Sequence, residues 1–375
     1  MKKRAQIFLY GTLCDPDLLG IVAGTHLPAR PAQLAGHRVA WAEGQNFPLI
    51  LKAPGEMVDG LLVKATGTEQ KRLDFYELGF GYALRPMTVE TDTGPEEALI
   101  YFPDPDYWKP GAMWSLANWQ RDHGALTRDA AIEYMRLMPG LTPARAAVAF
   151  PQVRMRASSR LRAASHPSPS ALAPHMEAGK IELLQTSQPY TDFFAVREDL
   201  MSFPRFDGTM SPPVKRATFM GGDAVTVLPY DPARDEVLVV RQFRHGAFVR
   251  GDVNPWCLEP VAGRIDPGET ASQTALRELR EEAGLTARDL HLIARYYPSP
   301  GAYSEFLISF VAIAPLDGRD LGIGGLSSEA EDIMAHTMPF SQLMSLIESG
   351  AANTGPLIVS AQWLAVNREH LRTAH

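Results

Sequence analysis

Short apolar runs bounded by turn residues occupy the first hundred positions of the chain. The segments 5–10, 58–63 and 97–102 are rich in aliphatic and aromatic residues and are separated by stretches that contain Pro and Gly. This pattern predicts buried β-strands. Between residues 114 and 138 the apolar positions follow helical spacing, and Pro139-Gly140 predicts the end of that helix.

A basic run and a Pro/Ser stretch follow the predicted helix. The run contains Arg154, Arg156, Arg160 and Arg162, and the sequence HPSPS begins at residue 166. The arginines suit either an anionic partner or a solvated helix face, of which we expect the solvated face. The Pro/Ser stretch is typical of an exposed linker.

These patterns divide the chain into three parts. We predict a strand-rich domain at residues 1–112, a helical extension and linker at 113–178, and an α/β domain at 179–375. The length of 375 residues, about two and a half times a typical domain, agrees with two domains.

Composition narrows the class of protein. Hydrophobic residues make up 45% and charged residues 21%, which excludes collagen, coiled coil and wholesale disorder. The net charge of −7 argues against a nucleic-acid partner. The chain lacks an apolar stretch of the roughly 18–20 residues that a membrane helix needs. Its apolar run at residues 7–10 is too short for a signal peptide, and its two cysteines rule out a disulfide framework. We therefore expect a cytoplasmic protein without a membrane partner.

The strongest local signal lies in the C-terminal half, in the segments 263–269 and 277–285. Between them Thr270 is a good helix N-cap, and Gln273 three residues later completes a capping box. Gly284 stands where a glycine commonly ends a helix. The sequence therefore predicts a loop, a helix and a second loop.

Three carboxylates project from one face of this predicted helix. Glu278, Glu281 and Glu282 stand at positions i, i+3 and i+4, where like charges repel unless cations compensate them. Hard divalent cations such as Mg²⁺ prefer such oxygen ligands and often sit beside substrate phosphates. The alternative is an acidic solvated face paired with Arg277 and Arg280.

The pattern G-x5-E-x7-R-E-U-x-E-E-x-G-U, in which U is a bulky aliphatic residue, is met at every specified position from Gly263 to Leu285. In this the chain resembles the Nudix hydrolase family. The resemblance implies an α/β/α sandwich and Mg²⁺- or Mn²⁺-dependent hydrolysis of a nucleoside diphosphate linked to another group. It implies Glu278 and Glu282 as the main metal ligands, assisted by Glu281. Glu269 and Arg277 are expected to hold the loop to the helix as an ion pair.

Outside this motif the chain is similar to bacterial ADP-ribose pyrophosphatases over roughly residues 189–367. The shared segments lie at 256–263, 299–301 with Glu305, and 329–333. The resemblance implies the carbonyl of Ala262 and the side chain of Glu331 as further metal ligands, and Glu329 as the base that activates water. Either Glu329 or Glu331 suits the role of base.

The same resemblance implies a substrate site and a partner. Phe193 resembles the aromatic residue that stacks on adenine, and a place in the core is the alternative for it. Arg216 and Arg244 resemble the guanidiniums that hold the diphosphate and the terminal ribose, a role that bidentate Arg–phosphate geometry suits. Because the family homologues pair through exchanged N-terminal elements, a homodimer is expected by analogy.

A second motif lies at the start of the chain, where Tyr10, Gly11, Thr12 and Leu13 end a predicted strand at a tight turn. Together with the segments 47–48, 58–61 and 73–77, it resembles the gamma-glutamylcyclotransferase (AIG2-like) family over about residues 6–105. The resemblance implies a small barrel with a cavity, in which the Tyr10–Leu13 loop binds a gamma-glutamyl group. Glu77 matches the glutamate that takes a proton from the substrate amine as 5-oxoproline forms. The chain departs from the family at Leu78, where glycine is common.

The sequence therefore predicts an α+β protein with a small β-barrel domain, a helical linker and a Nudix domain. The expected activity is hydrolysis of ADP-ribose to AMP and ribose 5-phosphate. The alternatives are another nucleoside diphosphate sugar, a gamma-glutamyl cyclotransferase with a regulatory Nudix domain, and a nucleotide sensor without turnover. Fused chains of this arrangement also resemble Nudix proteins named for tellurite resistance, a name that carries no mechanism.

Overall fold

The apolar runs of the first hundred residues form a closed barrel in the computed structural model, which describes residues 5–105, 107–167, 178–316, 322–324 (backbone only) and 332–374. Five strands follow one another around it in the order β3-β1-β5-β4-β2, and pairing of β2 with β3 closes the ring. A sixth strand extends β2. The strands are β1 (Ala5–Leu9), β2 (Ala29–Ala42), β3 (Pro48–Ala65), β4 (Tyr82–Thr91), β5 (Gly94–Pro103) and β6 (Pro110–Met113). Each of the three predicted strands is confirmed.

Helices pack against one side of the barrel. They are α1 (Pro16–Ala23), α2 (Gly67–Glu77), α3 (Leu116–Trp119), α4 (Ala125–Tyr134) and α5 (Pro143–Ser165). The single helix predicted over 114–138 is interrupted, because a π-helical turn at Gln120–Gly124 separates α3 from α4. The core of this region joins Ile7 and Leu9 of β1 to Trp119, Tyr134 and Val153 of the helical extension.

The prediction that the basic run forms a solvated helix face is wrong. Arg156 is only 3% exposed, and its guanidinium forms an ion pair of 2.7 Å with the equally buried Glu133 of α4. Arg160 binds the other oxygen of Glu133, also at 2.7 Å. Arg156 lies inside because the Glu133 carboxylate on the neighbouring helix compensates its charge, whereas the Arg160 side chain is 38% exposed.

The chain forms two compact units, Met1–Arg216 and Ala217–His375. The first unit also contains strands β7 (Glu182–Thr191) and β8 (Ala195–Ser202), and β9 (Val214–Met220) begins within it. These strands form a three-stranded sheet in the order β7-β8-β9. Gln188 of β7 donates a hydrogen bond of 3.3 Å to Glu133, which ties the sheet to α4.

The second unit is a three-layer sandwich, as predicted. Its central sheet runs β14-β15-β10-β11-β17-β16, with β12 beside β11 and β13 beside β10. Its elements are β10 (Ala224–Asp231), β11 (Glu236–Phe243), α6 (His245–Arg250), β12 (Trp256–Glu259), β13 (Val261–Arg264), α7 (Ala271–Ala283), β14 (Asp289–Tyr296), β15 (Leu307–Ile313), β16 (Gly322–Gly324), β17 (Ile333–Pro339), α8 (Phe340–Glu348) and α9 (Gly355–Ala374).

Alternating side chains of the sheet build two separate cores. Val225 and Val227 of β10 pack with Leu279 of α7 on one face. Leu228 of the same strand packs with α8 and α9, for example with Leu364, on the other. This period-two alternation fixes α7 against a single face of the sheet. No helix in the described part of the chain is both long enough and apolar enough to cross a bilayer.

Candidate functional site

The predicted loop–helix–loop motif forms as expected around α7. Thr270 caps the helix, its hydroxyl accepting from the Gln273 N–H at 3.3 Å while the Gln273 side chain accepts from the Thr270 N–H at 2.9 Å. Gly284 ends the helix in the left-handed region with φ of 59°. These caps satisfy terminal backbone groups, so the start and end of the helix are set by local sequence.

Arg277 connects the loop to the helix through hydrogen bonds to three glutamates. Its Nε and Nη2 atoms each donate to Glu269 at 3.0 Å, which confirms the predicted ion pair. Its Nη1 atom donates to Glu278 at 2.7 Å and to Glu281 at 2.9 Å. The Arg277 bond lowers the pKa of Glu269, so this loop carboxylate stays ionised and bound.

Glu278 and Glu282 converge on strand β13. Glu282 is only 4% exposed, and the backbone N–H of Ala262 donates to its Oε2 at 3.2 Å. The Glu278 carboxylate lies against Gly263, where an added Cβ would overlap it. The motif therefore needs glycine at 263 to bring a carboxylate this close to the strand. Of the three predicted glutamates, Glu281 lies furthest toward solvent.

The oxygen atoms around Glu278 and Glu282 are ligands of the kind that a hard divalent cation prefers. It combines two glutamate carboxylates with the adjacent backbone of β13, and a buried carboxylate such as Glu282 is stable when a positive charge compensates it. Within the described ranges, no three His, Cys, Asp or Glu side chains converge as a ready-made metal site. Glu329 and Glu331 lie outside the described residues.

A second set of charged side chains in this unit includes Arg244, Glu259 and Glu305. Arg244 precedes α6, and its Nε donates to Glu259 of β12 at 2.7 Å. Burial nevertheless raises the pKa of Glu259. Burial also raises the pKa of Glu305, although Arg264 and Arg244 oppose the shift. Neither Glu259 nor Arg264 has a role predicted from the sequence, although both lie in or beside the segment 256–263 that is shared with the ADP-ribose pyrophosphatases.

The remaining two substrate-binding candidates lie in the first unit. Phe193 is 55% exposed and packs edge-on against Phe194 with ring centroids 4.9 Å apart, so the alternative placing it in the core is wrong. Arg216 is exposed, and its guanidinium donates to the carbonyl of Lys215 at 3.1 Å. Both side chains are accessible to a ligand.

The barrel and the helices beside it form a cavity of about 530 Å³ in the first unit. The loop Tyr10, Gly11, Thr12 and Leu13 lines it together with Glu77, as the resemblance implies. A Cβ at Gly11 would lie 2.6 Å from Pro48, so the turn requires glycine there. Leu78, where the chain departs from the family, is 39% exposed and is not part of the lining.

Glu77 is set apart from its neighbour Asp74 by hydrogen bonding. Asp74 accepts a bond of 2.7 Å from the Tyr101 hydroxyl, whereas Glu77 has no hydrogen-bond partner among the described residues. Burial raises the pKa of Glu77 to about 7, the range that suits a general base. Burial likewise raises the pKa of the Cys14 thiol to about 12, so this cysteine is no thiolate nucleophile near neutral pH.

Comparison with known proteins agrees with both motifs. Residues 220–358 match the family model described as "NUDIX domain", and residues 7–121 match "Gamma-glutamyl cyclotransferase, AIG2-like". The ADP-ribose pyrophosphatase of Escherichia coli K12 is 35% identical, covering 51% of this chain and 91% of that protein. The one from Haemophilus influenzae is 32% identical, covering 53% and 92%. A GDP-mannose pyrophosphatase of Enterobacter sp. is 28% identical, covering 50% and 96%. The chain is therefore a member of the Nudix hydrolase family that also carries an AIG2-like domain at its N-terminal end.

Proposed function

We propose that the second unit hydrolyses the diphosphate of a nucleoside diphosphate sugar, and that ADP-ribose, cleaved to AMP and ribose 5-phosphate, is the substrate. The convergence of Glu278 and Glu282 on Ala262 and Gly263 carries this proposal. The relatives at 35% and 32% identity support ADP-ribose over GDP-mannose, whose hydrolase is 28% identical.

In this proposal Glu278, Glu282 and the carbonyl of Ala262 would hold Mg²⁺ or Mn²⁺, with Glu281 and Glu331 as further ligands. A cation held there would supply positive charge to offset the diphosphate and to favour ionisation of water. Arg244, beside β12, helps to hold the diphosphate and the terminal ribose. Glu329, or Glu331 in its place, takes a proton from water as the water oxygen bonds to phosphorus. The bridging P–O bond breaks and its electrons leave with the departing phosphate.

The purified full chain, incubated with ADP-ribose and Mg²⁺, is expected to release AMP and to lose this activity in excess EDTA. Chelation removes the charge that offsets the diphosphate, and readdition of Mg²⁺ or Mn²⁺ should restore turnover. A matched series of ADP-ribose, ADP-glucose and GDP-mannose, followed by chromatography of the released nucleotide, measures specificity. Preference for GDP-mannose would overturn the choice of substrate, and EDTA-resistant turnover would overturn the metal site.

The Glu77 cavity favours a second candidate function for the first unit. In this cavity the Glu77 carboxylate, which has no hydrogen-bond partner among the residues that the structure describes, lies beside the Tyr10–Leu13 loop, and this suits cyclisation of a gamma-glutamyl compound. Glu77 would take a proton from the α-amine as its nitrogen attacks the γ-carbonyl. The γ-amide bond then breaks, the leaving amine takes up a proton, and 5-oxoproline forms.

This second activity is expected to rise with pH through about 7. Only ionised Glu77 accepts the amine proton, so kcat/KM for a gamma-glutamyl dipeptide should be about tenfold lower at pH 6 than at pH 8. The groups facing Glu77 are tyrosines whose pKa values are raised, so they stay neutral over this range: Tyr10, Tyr76, Tyr82, Tyr101 and Tyr134. Release of 5-oxoproline is the measurement.

Two variants test whether Glu77 causes the inflection in the pH profile of kcat/KM. Glu77→Gln should abolish turnover at every pH, whereas Asp74→Asn should keep the inflection because Tyr101 already occupies that side chain. A pH profile that is flat between 6 and 8 would contradict the role of Glu77 as base.

A further inference from the structure

The barrel cavity has one wall that lies outside the AIG2-like match. That match ends at residue 121, but residues of α5 line the cavity, among them Ala147, Phe150 and Arg154. The start of α5 fits closely against the turn between α2 and β4, since an added Cβ at Gly79 would lie 2.9 Å from the carbonyl carbon of Pro143. The helical extension therefore forms part of the cavity wall.

Among the described residues that line the cavity, only Glu77 and Arg154 carry a formal charge. They form no ion pair with each other, and burial alone accounts for the raised pKa of Glu77. Aromatic side chains make up much of the remaining wall, including Phe47, Tyr82 and Trp108. The cavity thus offers one acid and one separate cation between aromatic surfaces.

The guanidinium of Arg154 is oriented but not neutralised. With the Asn46 amide turned so that its oxygen faces the guanidinium, that oxygen accepts from Nη1 at 3.3 Å and from Nη2 at 2.5 Å. The Nε atom is buried and has no hydrogen-bond partner among the described residues. No carboxylate of those residues forms an ion pair with Arg154. A half-buried guanidinium held by a neutral amide is a ready partner for an anion, because arginine keeps its charge when desolvated.

We propose that Arg154 binds a carboxylate of the molecule that occupies this cavity. The ligand is then an amino-acid derivative that carries an amine toward Glu77 and a carboxylate toward α5. Applied to the second candidate function, on which this assignment rests, Arg154 selects gamma-glutamyl amino acids with a free C-terminal carboxylate over gamma-glutamyl amines. Arg154 is a specificity-determining residue and takes no part in the proton transfer.

A pair of probes that differ only in this charge tests the proposal. They are L-γ-glutamyl-L-alanine and L-γ-glutamyl-L-alaninamide, used with the full chain. Turnover is followed by 5-oxoproline release, and binding without turnover is measured by calorimetry in the Glu77→Gln variant. Because a hydrogen bond to a charged group contributes about 1.5–3 kcal/mol, the acid should be preferred by about 10- to 100-fold.

Three variants separate recognition of the carboxylate from general damage. Arg154→Gln should weaken acid binding by about 10- to 100-fold, mainly through KM, and leave the amide within about twofold. Arg154→Lys should recover part of the preference, because it restores the positive charge. Arg145→Gln, an exposed charge removed from the same helix outside the cavity lining, should change neither.

Equal binding of acid and amide by the unaltered chain would overturn the role of Arg154 while leaving cyclotransferase activity standing. Equal loss of both probes in Arg154→Gln would also overturn it, since the residue would then recognise nothing that distinguishes the C-terminal carboxylate from the amide. If neither probe is bound or turned over, the assignment fails together with the second candidate function.

Discussion

Replacing Glu282 by glutamine is expected to lower the rate of nucleotide-sugar hydrolysis by about 10²- to 10⁴-fold, because a catalytic metal contributes several kcal/mol and each 1.36 kcal/mol is a factor of ten. Glutamine preserves the shape of the side chain and an oxygen that can accept from the Ala262 N–H. It removes the negative charge that the proposed cation needs. Steady-state AMP release from ADP-ribose at saturating Mg²⁺ measures the effect.

Two control variants test whether the loss of rate comes from removing the charge of Glu282. Glu348→Gln removes an exposed carboxylate from α8 in the same unit and should leave turnover unchanged. Glu281→Gln should have a smaller effect than Glu282→Gln, since Glu281 lies nearer solvent and is bound to Arg277. Full activity of Glu282→Gln, with an unchanged melting temperature, would refute the proposed metal site.

Glu133→Ala is expected to destabilise the first unit by about 3–5 kcal/mol, the cost of breaking a buried ion pair from one side. Glu133 is 2% exposed and receives bonds from Arg156, Arg160 and Gln188. Its removal leaves the Arg156 guanidinium buried without its carboxylate. Urea unfolding of the full chain measures the loss, with Trp256 and Trp363 replaced by Phe so that the remaining tryptophans report on the first unit.

An exposed ion pair in the same unit is the reference for this effect. Asp122→Ala removes the partner of Arg121, and both side chains are solvent-accessible. Such surface pairs contribute about 0–1 kcal/mol, so Asp122→Ala should be nearly silent. A similar loss in Asp122→Ala and Glu133→Ala would mean that the buried cluster adds nothing beyond an ordinary surface contact.

Features that depend on neighbours in sequence could be predicted without a structure. The cap at Thr270, the left-handed Gly284 and the Glu269–Arg277 pair all lie within a few helical turns of one another. Their interactions are set by local spacing, so a pattern of residue types is enough to infer them. The position of Glu278 and Glu282 against β13 required the fold as well.

The basic run shows why other features could not be predicted. Arg154 and Arg156 have the same charge and lie in the same polar helical segment, so the sequence does not distinguish them. Arg156 is buried beside the carboxylate of Glu133, which is on another helix and 23 residues away in sequence. The cavity that receives Arg154 is lined by barrel residues from Phe8 to Tyr101, all of them more than about 50 residues earlier in the chain. Burial of an arginine depends on such distant partners, which spacing along the chain does not reveal.

The packing of α5 against the barrel also affects when the barrel can complete its core during synthesis. Strand β1 is translated first, yet its core residues Ile7 and Leu9 pack in one cluster with Val153 and Ala157 of α5. Ribosomes must therefore add about 150 residues before the first strand meets all its partners. Contacts this distant in sequence slow folding and leave apolar surface exposed in the meantime. Until α5 has been translated, the faces of the barrel strands that it covers therefore stay exposed.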